Sequence, residues 1–294
     1  MDTIAQDALL KYDIGRIQST DYQREGYSNR SYRVETKSGV FLFREFLQQS
    51  RRQVLQEFAL LSAVENHGCP VPRPISSLAG ENLIAANGRL FALFPFIAGA
   101  EPPLCNETAR QVGRAAGHLS LINGVEGFDA LLGASWMNAM EFMKSPAARA
   151  LSEDEQLFIR EESAYFQRAL PTDLPRGVIH GDLFPDNVLF EKDELVAILD
   201  FEEAADDTLV LDVGIAINGF CFINQELDRA LMEAFLEGYE SCRKLLEPER
   251  RHLSTYIRYG LFGILFWHIS HRATPSDLRQ KRRINELRLR YHSL

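Results

Sequence analysis

Cysteine is scarce in this chain of 294 residues, with four at positions 69, 105, 221 and 242. None stand at metal-ligand spacing, and no disulfide framework is suggested. They read as reduced, mostly buried thiols of a cytoplasmic protein. Basic charge is also short. Against 41 Asp and Glu there are 32 Lys and Arg, leaving a formal net charge of −9. Nucleic-acid binders usually carry a basic face, so no nucleic-acid partner is expected. The basic cluster Arg250, Arg251, His252 is brief, and the richer stretch over 279–290 alternates with apolar residues as a solvated helix face does. Long apolar runs are missing as well. The most apolar one, residues 261–269, is far short of the roughly 20 residues that span a bilayer. Asp2, Asp7 and Asp13 interrupt any leader-like apolar segment. No membrane partner is expected.

Several catalytic signatures are absent too. There is no G-x-x-x-x-G-K-S/T phosphate loop, no G-x-S-x-G elbow and no H-E-x-x-H. His268 and His271 lie three apart beside Trp267 without further ligands near them in sequence, which favours ordinary helix residues over a metal site. Internal repeats and low-complexity tracts are lacking.

What is present is an ordinary globular composition, 46% hydrophobic and 25% charged, long enough for one large domain or two lobes. Residues 31–35 alternate polar and apolar, and after a turn at Ser38-Gly39 residues 40–46 are rich in aromatic and branched side chains, together a hairpin pattern. Val54, Phe58, Leu61 and Val64 recur at helical spacing over 51–66. Gly68 ends that helix, and Pro70, Pro72 and Pro74 prevent its resumption. Two short strands follow, near Leu83 and over 90–94, with Gly88 turning between them. Residues 95–99 read as a linker. Beyond it, helical periodicity dominates near 107–122, 152–170, 226–245, 249–271 and 276–291, interrupted by one β-rich patch over 178–201. The expected fold is α+β and bilobal: a small antiparallel-sheet N-lobe (1–94), a hinge (95–99) and a larger, mainly helical C-lobe (100–294).

The chemistry concentrates in His180-Gly181-Asp182-Leu183-Phe184-Pro185-Asp186-Asn187. Asp200-Phe201-Glu202 follows, preceded by the apolar run 196–199. Phosphoryl transfer needs an oriented hydroxyl, metal on the phosphates and a base near the attacking oxygen. Protein kinases supply these with H-R-D-x-x-x-x-N and D-F-G. The His-x-Asp-x-x-x-x-Asn spacing is preserved here, and Asp200 closes an expected strand. Asp182, Asn187 and Asp200 would then bring together three oxygen-bearing groups of the kind that suit Mg²⁺. In the N-lobe, Arg44 on the strand and Glu57 at the border of the helix's apolar stripe match the lysine–glutamate pair of kinases, with Arg able to grip phosphate bidentately. The loop 24–29, which includes Ser28 and Asn29, could cover nucleotide phosphates or be a plain hairpin turn. Asp212 opens a helix, as an N-cap or as a buried brace for the catalytic loop.

These residues identify a family resemblance. The stretch 180–190 resembles the catalytic loop of the aminoglycoside phosphotransferase and choline kinase superfamily, and is most similar to the protein-kinase-fold homoserine kinases. Ile198-Leu199-Asp200-Phe201 resembles the metal strand, and 211–222 resembles the family's Asp-x-x-Ile-x-x-Asn-x-Trp-Cys segment. Leu236-Glu237-Gly238-Tyr239 and Tyr12-Asp13-Ile14-Gly15 are similar too. The resemblance implies an ATP- and Mg²⁺-dependent kinase for a small-molecule hydroxyl substrate. Asp182 would be the catalytic base, Asn187 and Asp200 the metal ligands, and His180 and Asp212 structural supports. Arg44, paired with Glu57, would contact the phosphates, and the hinge Pro95, Phe96 and Ile97 would receive adenine. Three departures stand out. Glu202 and Glu203 follow the Asp-Phe where homoserine kinases usually carry an aromatic residue, Ser120 stands where relatives commonly have His, and Phe220 replaces the usual Trp. With Asn218, residues 202, 203 and 220 mark the expected acceptor pocket, and the added carboxylates favour a cationic acceptor. Homoserine is the favoured acceptor. A choline or ethanolamine kinase, an aminoglycoside-type antibiotic kinase and a catalytically silent kinase-fold binding protein are the alternatives. A protein kinase is disfavoured, because no Ala-Pro-Glu landmark occurs and Asp212 follows Asp200 by only 12 positions.

Overall fold

The aromatic-rich run Val40–Phe46 forms a strand with buried residues on both faces, and the N-lobe is built around it. The computed structural model describes residues 1–23, 29–122, 124–271 and 278–294, with side chains from residue 280 onward in the last segment. Ser28, expected over the phosphates, lies outside the described residues. The N-lobe comprises α1 (Thr3–Leu9), β1 (Ile17–Gln23), β2 (Asn29–Thr36), β3 (Val40–Phe46), α2 (Arg51–Asn66), β4 (Ile84–Ala86) and β5 (Arg89–Pro95). The five strands form one antiparallel sheet in the order β1-β2-β3-β5-β4.

Alternation along β3 divides its side chains between two cores. Phe43 stacks on Phe91 of β5, ring centroids 5.5 Å apart, within a cluster that includes Ala5 and Leu9 of α1. Phe46 instead packs with Phe58 of α2, and Leu42 and Arg44 line a cleft beneath the sheet. Burying one such phenylalanine contributes about 2–3 kcal/mol. The helix α2 starts at a capping box, with Ser50 and Gln53 satisfying each other's backbone N–H. It ends as Gly68 adopts φ +84° while the Cys69 N–H bonds back to the Val64 carbonyl at 3.2 Å. The expected stop at Gly68 is therefore a left-handed helix cap.

The C-lobe comprises α3 (Asn106–Leu119), α4 (Trp136–Phe142), α5 (Glu153–Ala169), β6 (Arg176–Ile179), β7 (Val188–Glu191), β8 (Glu194–Ile198), β9 (Ala205–Thr208), α6 (Leu209–Phe220), β10 (Phe222–Ile223), β11 (Glu226–Leu227), α7 (Arg229–Glu240), α8 (Glu247–Ser270) and α9 (Leu278–Ser293). Its strands pair antiparallel as β6–β9, β7–β8 and β10–β11. Close helix contacts rest on glycine. A Cβ on Gly113 of α3 would lie 2.0 Å from the Phe235 carbonyl of α7, and one on Gly238 of α7 would lie 2.0 Å from the Arg110 carbonyl of α3. One apolar core runs from α2 through these helices.

Some expectations shift. The region expected as helix over 226–245 holds β11 before α7 begins at Arg229. The single β-rich patch extends on both sides, to β6 and β9. The helix carrying Asp212 begins at Leu209 with Thr208 at its N-cap, so Asp212 sits inside the first turn and is not the cap.

Candidate active site

The floor of the cleft is organised by Asp212. Held rigidly in α6 and buried, it accepts the backbone N–H of His180 through Oδ2 and that of Gly181 through Oδ1, both at 3.0 Å. Burial pushes its carboxyl upward, while these two amides favour the charged form. His180 is fully buried. Its Nδ1 accepts the Asp182 N–H at 3.2 Å, which leaves Nε2 protonated to donate to the Leu199 carbonyl at 2.8 Å. Burial holds this imidazole below the usual histidine range, consistent with a neutral ring. Phe201 packs against it with the rings tilted and their centroids 4.5 Å apart. Between them, Gly181 has φ +79°, and a Cβ there would come within 2.4 Å of the Glu203 carbonyl oxygen. Only glycine fits that turn.

The loop so shaped presents Asp182. Asn187 Nδ2 donates both to the Asp182 carbonyl and to its Oδ2, each at 2.8 Å. With its nitrogen engaged, the Asn187 Oδ1 is left to accept or coordinate. The Asn187 carbonyl accepts the Leu199 N–H at 2.8 Å, which ties the loop to the end of β8. Ile198 N–H is held by the Pro70 carbonyl at 2.8 Å. Pinned on both sides, the next residue, Asp200, takes φ +60°, ψ +69°, a strained backbone that costs about 1–3 kcal/mol. Burial, then the Asp200 carboxylate, push the Asp182 carboxyl well above the ordinary aspartate range. The structure thus brings Asp182, Asn187 and Asp200 together, as the spacing predicted.

The cleft above them, about 630 Å³, separates the lobes. Leu42, Leu61, Pro72, Phe94, Ile97, Leu189 and Ile198 form its apolar walls, and Arg44, Glu57 and Asp200 its polar end. Pro95, Phe96 and Ile97 line it as expected. The Phe96 N–H is already bonded to the Val40 carbonyl at 3.1 Å. In that register Pro95 occupies a position where no ladder bond is needed, so its missing N–H is tolerated. A flat heteroaromatic ring suits these walls.

The expected Arg44–Glu57 ion pair is corrected. Both face the same polar end, and the charge of Arg44 favours the Glu57 carboxylate, whose carboxyl burial otherwise pushes up. Yet Glu57 accepts from Gln49 Nε2 at 3.2 Å. Among the described residues Arg44 makes no ion pair within 4.0 Å. Its guanidinium lies 5.6 Å from the Phe94 ring, and its buried Nε has no hydrogen-bond partner. A buried donor left unpaired costs about 1–3 kcal/mol, and an anionic group entering the cleft would satisfy it.

Four residues were expected around the acceptor. Glu202 accepts from Asn29 Nδ2 across the lobes, joining a residue expected on the nucleotide side to one expected on the acceptor side. Glu203 turns toward Gly133. Asn218 and Phe220 are buried in the C-lobe interior. The Asn218 amide donates to the Gly214 and Ile257 carbonyls at 2.8 and 2.7 Å, and Gly219 between them packs under Leu183 and Phe184. Ser120 caps α3 through the Gly117 carbonyl. Sequence reasoning missed Gln49 and the loop at Leu132–Gly133, whose contacts with the site come from distant parts of the chain and leave no local pattern.

All four cysteines are free thiols. Among the described residues, no helix is long and apolar enough to cross a membrane.

A family model described as the phosphotransferase enzyme family matches residues 23–245. A homoserine kinase from Bradyrhizobium diazoefficiens is 33% identical over 274 residues, 89% of this chain and 83% of the relative. A homoserine kinase from Rhizobium rhizogenes is 35% identical over 266 residues, 85% and 79% respectively. Among solved structures, a microcompartment-associated aminopropanol kinase superposes with a TM-score of 0.76 at 20% identity, covering 98% of this chain and 95% of that one. A spectinomycin phosphotransferase complexed with ADP and spectinomycin superposes with a TM-score of 0.68 at 13% identity, covering 98% and 97%. These superpositions show the bilobal protein-kinase-like fold. The chain belongs to the phosphotransferase enzyme family, as an enzyme that transfers phosphate to a hydroxyl group.

Proposed function

We propose that this enzyme transfers the γ-phosphate of ATP to the hydroxyl of a small amino-bearing alcohol, with homoserine as the acceptor. The observation that carries the reading is the Asp182–Asn187 bond, which holds the two side chains together close enough to Asp200 for its carboxylate to act on Asp182. The curated homoserine kinases that align along most of the chain support the choice of acceptor.

Adenine occupies the apolar cleft against the hinge of Pro95, Phe96 and Ile97. The phosphates point to the polar end, where the unpaired Nε of Arg44 receives them and Glu57 keeps that end anchored. Asn29 borders the phosphates from the N-lobe. Asp182 accepts the hydrogen bond of the substrate hydroxyl and orients its oxygen for in-line attack. Its upward-shifted carboxyl makes it a stronger proton acceptor than a solvated aspartate. His180 and Asp212 keep the loop in register. Asn187 Oδ1 and the Asp200 carboxylate would hold Mg²⁺, a cation commonly bound by one or two carboxylates plus substrate phosphates. When bound, Mg²⁺ supplies charge neutralisation on the phosphate oxygens. Glu202 and Glu203 stand on the acceptor side, and Asn218 and Phe220 support it from beneath. Four free thiols fit residence in the cytoplasm.

The test is ADP release with Mg-ATP across homoserine, choline, ethanolamine, hydroxylysine and an aminoglycoside. Turnover confined to homoserine is the expected result. Preference for another acceptor overturns the homoserine assignment, and ATP consumption with none overturns the kinase reading.

A further inference from the structure

Glu202 and Glu203 are adjacent in sequence but face different neighbours. Glu202 reaches the N-lobe, where its Oε1 accepts from Asn29. Glu203 turns into the C-lobe. Its Oε2 lies 3.1 Å from where a Cβ of Gly133 would be, and Gly133 is glycine where a larger residue would crowd it. Its backbone carbonyl presses on Gly181, the residue immediately before Asp182.

We propose that Glu203 receives the ammonium group of the acceptor, and that Glu202 fastens the two lobes without contacting the acceptor. The inference rests on the reading of this protein as a kinase of an amino alcohol. The backbone contact with Gly181 sets the spacing: a molecule whose hydroxyl lies at Asp182 is small if its amine reaches Glu203. The Glu203 carboxylate is largely buried, and among the described residues it forms no ion pair within 4.0 Å. The carboxylate of Asp200 opposes its charge, and the Gly133 amide and the His271 imidazole favour it. A buried carboxylate in such a field is relieved by a cation brought with the substrate. The same group disfavours an acceptor with a neutral or anionic end at this position.

The experiment compares homoserine with its des-amino analogue 4-hydroxybutyrate, in the wild type and in E203Q, E203D and E202Q. Nucleotide affinity and melting temperature are followed for each. The wild type is expected to prefer homoserine by about 10- to 100-fold in kcat/KM, the range of one hydrogen bond to a charged group. E203Q should erase most of that preference through KM for homoserine, with nucleotide affinity and turnover of 4-hydroxybutyrate little changed. E203D should retain part of it, and E202Q should leave the ratio intact. An equal loss on both acceptors in E203Q, or collapse of the ratio in E202Q instead, overturns the inference. A wild type that phosphorylates no hydroxyl compound overturns the functional reading and the inference with it. A wild type that turns over 4-hydroxybutyrate and homoserine with equal kcat/KM overturns the inference alone.

Discussion

The two carboxylate oxygens of Asp212 each accept one backbone N–H, from His180 and from Gly181, both at 3.0 Å. One buried side chain on α6 thereby fixes the conformation of the two residues that precede Asp182. Substituting Asp212 with Ala leaves two buried amides without partners, at about 1–3 kcal/mol each. The variant is expected to melt several degrees lower and to lose most of its activity. Asp212→Asn, which keeps one acceptor oxygen, should fall between. Calorimetry beside a turnover assay checks the order, and an Asp212→Ala protein with wild-type melting temperature would contradict it.

In the proposed reaction Asp182 does the chemistry and Asp212 only positions it, so their variants should separate. Asp182→Asn should lower kcat by about 10²–10⁴, the usual contribution of a positioned base. Its affinity for a fluorescent ATP analogue should remain near wild type, because the cleft walls and Arg44 are untouched. A variant with near-normal turnover would remove Asp182 from the mechanism.

The helix crossing of α3 and α7 has no room for a methyl group. Gly238→Ala places a Cβ 2.0 Å from the Arg110 carbonyl oxygen, on rigid backbone. Overpacking of this kind typically costs about 1–3 kcal/mol. Thermal unfolding of Gly238→Ala is expected several degrees below wild type, with nucleotide affinity unchanged in the folded fraction. An unchanged melting temperature would mean that the two helices separate freely.

His268 gives a pH signature. Burial, helped by Arg283 and His271, lowers its imidazole to about 4 from the usual 6.5. The unfolded chain therefore binds more protons than the folded one between those values. Stability is full above pH 6.5 and falls as pH drops toward 4. In His268→Gln, melting temperature measured over that range should fall less steeply than in the wild type. Parallel curves for the two proteins would exclude His268 as a contributor.

Much of this site was legible because its chemistry is contiguous. The segment 180–187 carries His180, Asp182 and Asn187, the proposed support, base and metal-facing amide, and their spacing already placed them together. The strand β3 and the helix α2 were equally plain, the helix through the spacing of Val54, Phe58, Leu61 and Val64 and its stop at Gly68. The failures share a physical cause. Helix α1 is seven residues long, too short for its period to show, although Asp2 is an N-cap that could have signalled it. The start of α6 was displaced because Asp212 looks like a cap until its partners, His180 and Gly181, are known. The Arg44–Glu57 pair was expected as a direct contact, and the structure instead has Gln49, from the loop before α2, bonded to Glu57. The Leu132–Gly133 loop meets Glu203 only through tertiary packing, which no local pattern records.

The central claim is that a phosphate ends on an acceptor hydroxyl. ³¹P NMR of a reaction containing Mg-ATP, homoserine and the enzyme measures this directly. The account predicts a new phosphomonoester resonance, coupled to the protons of the adjacent carbon, growing in step with ADP. ADP accompanied only by inorganic phosphate, or no ADP, would contradict it.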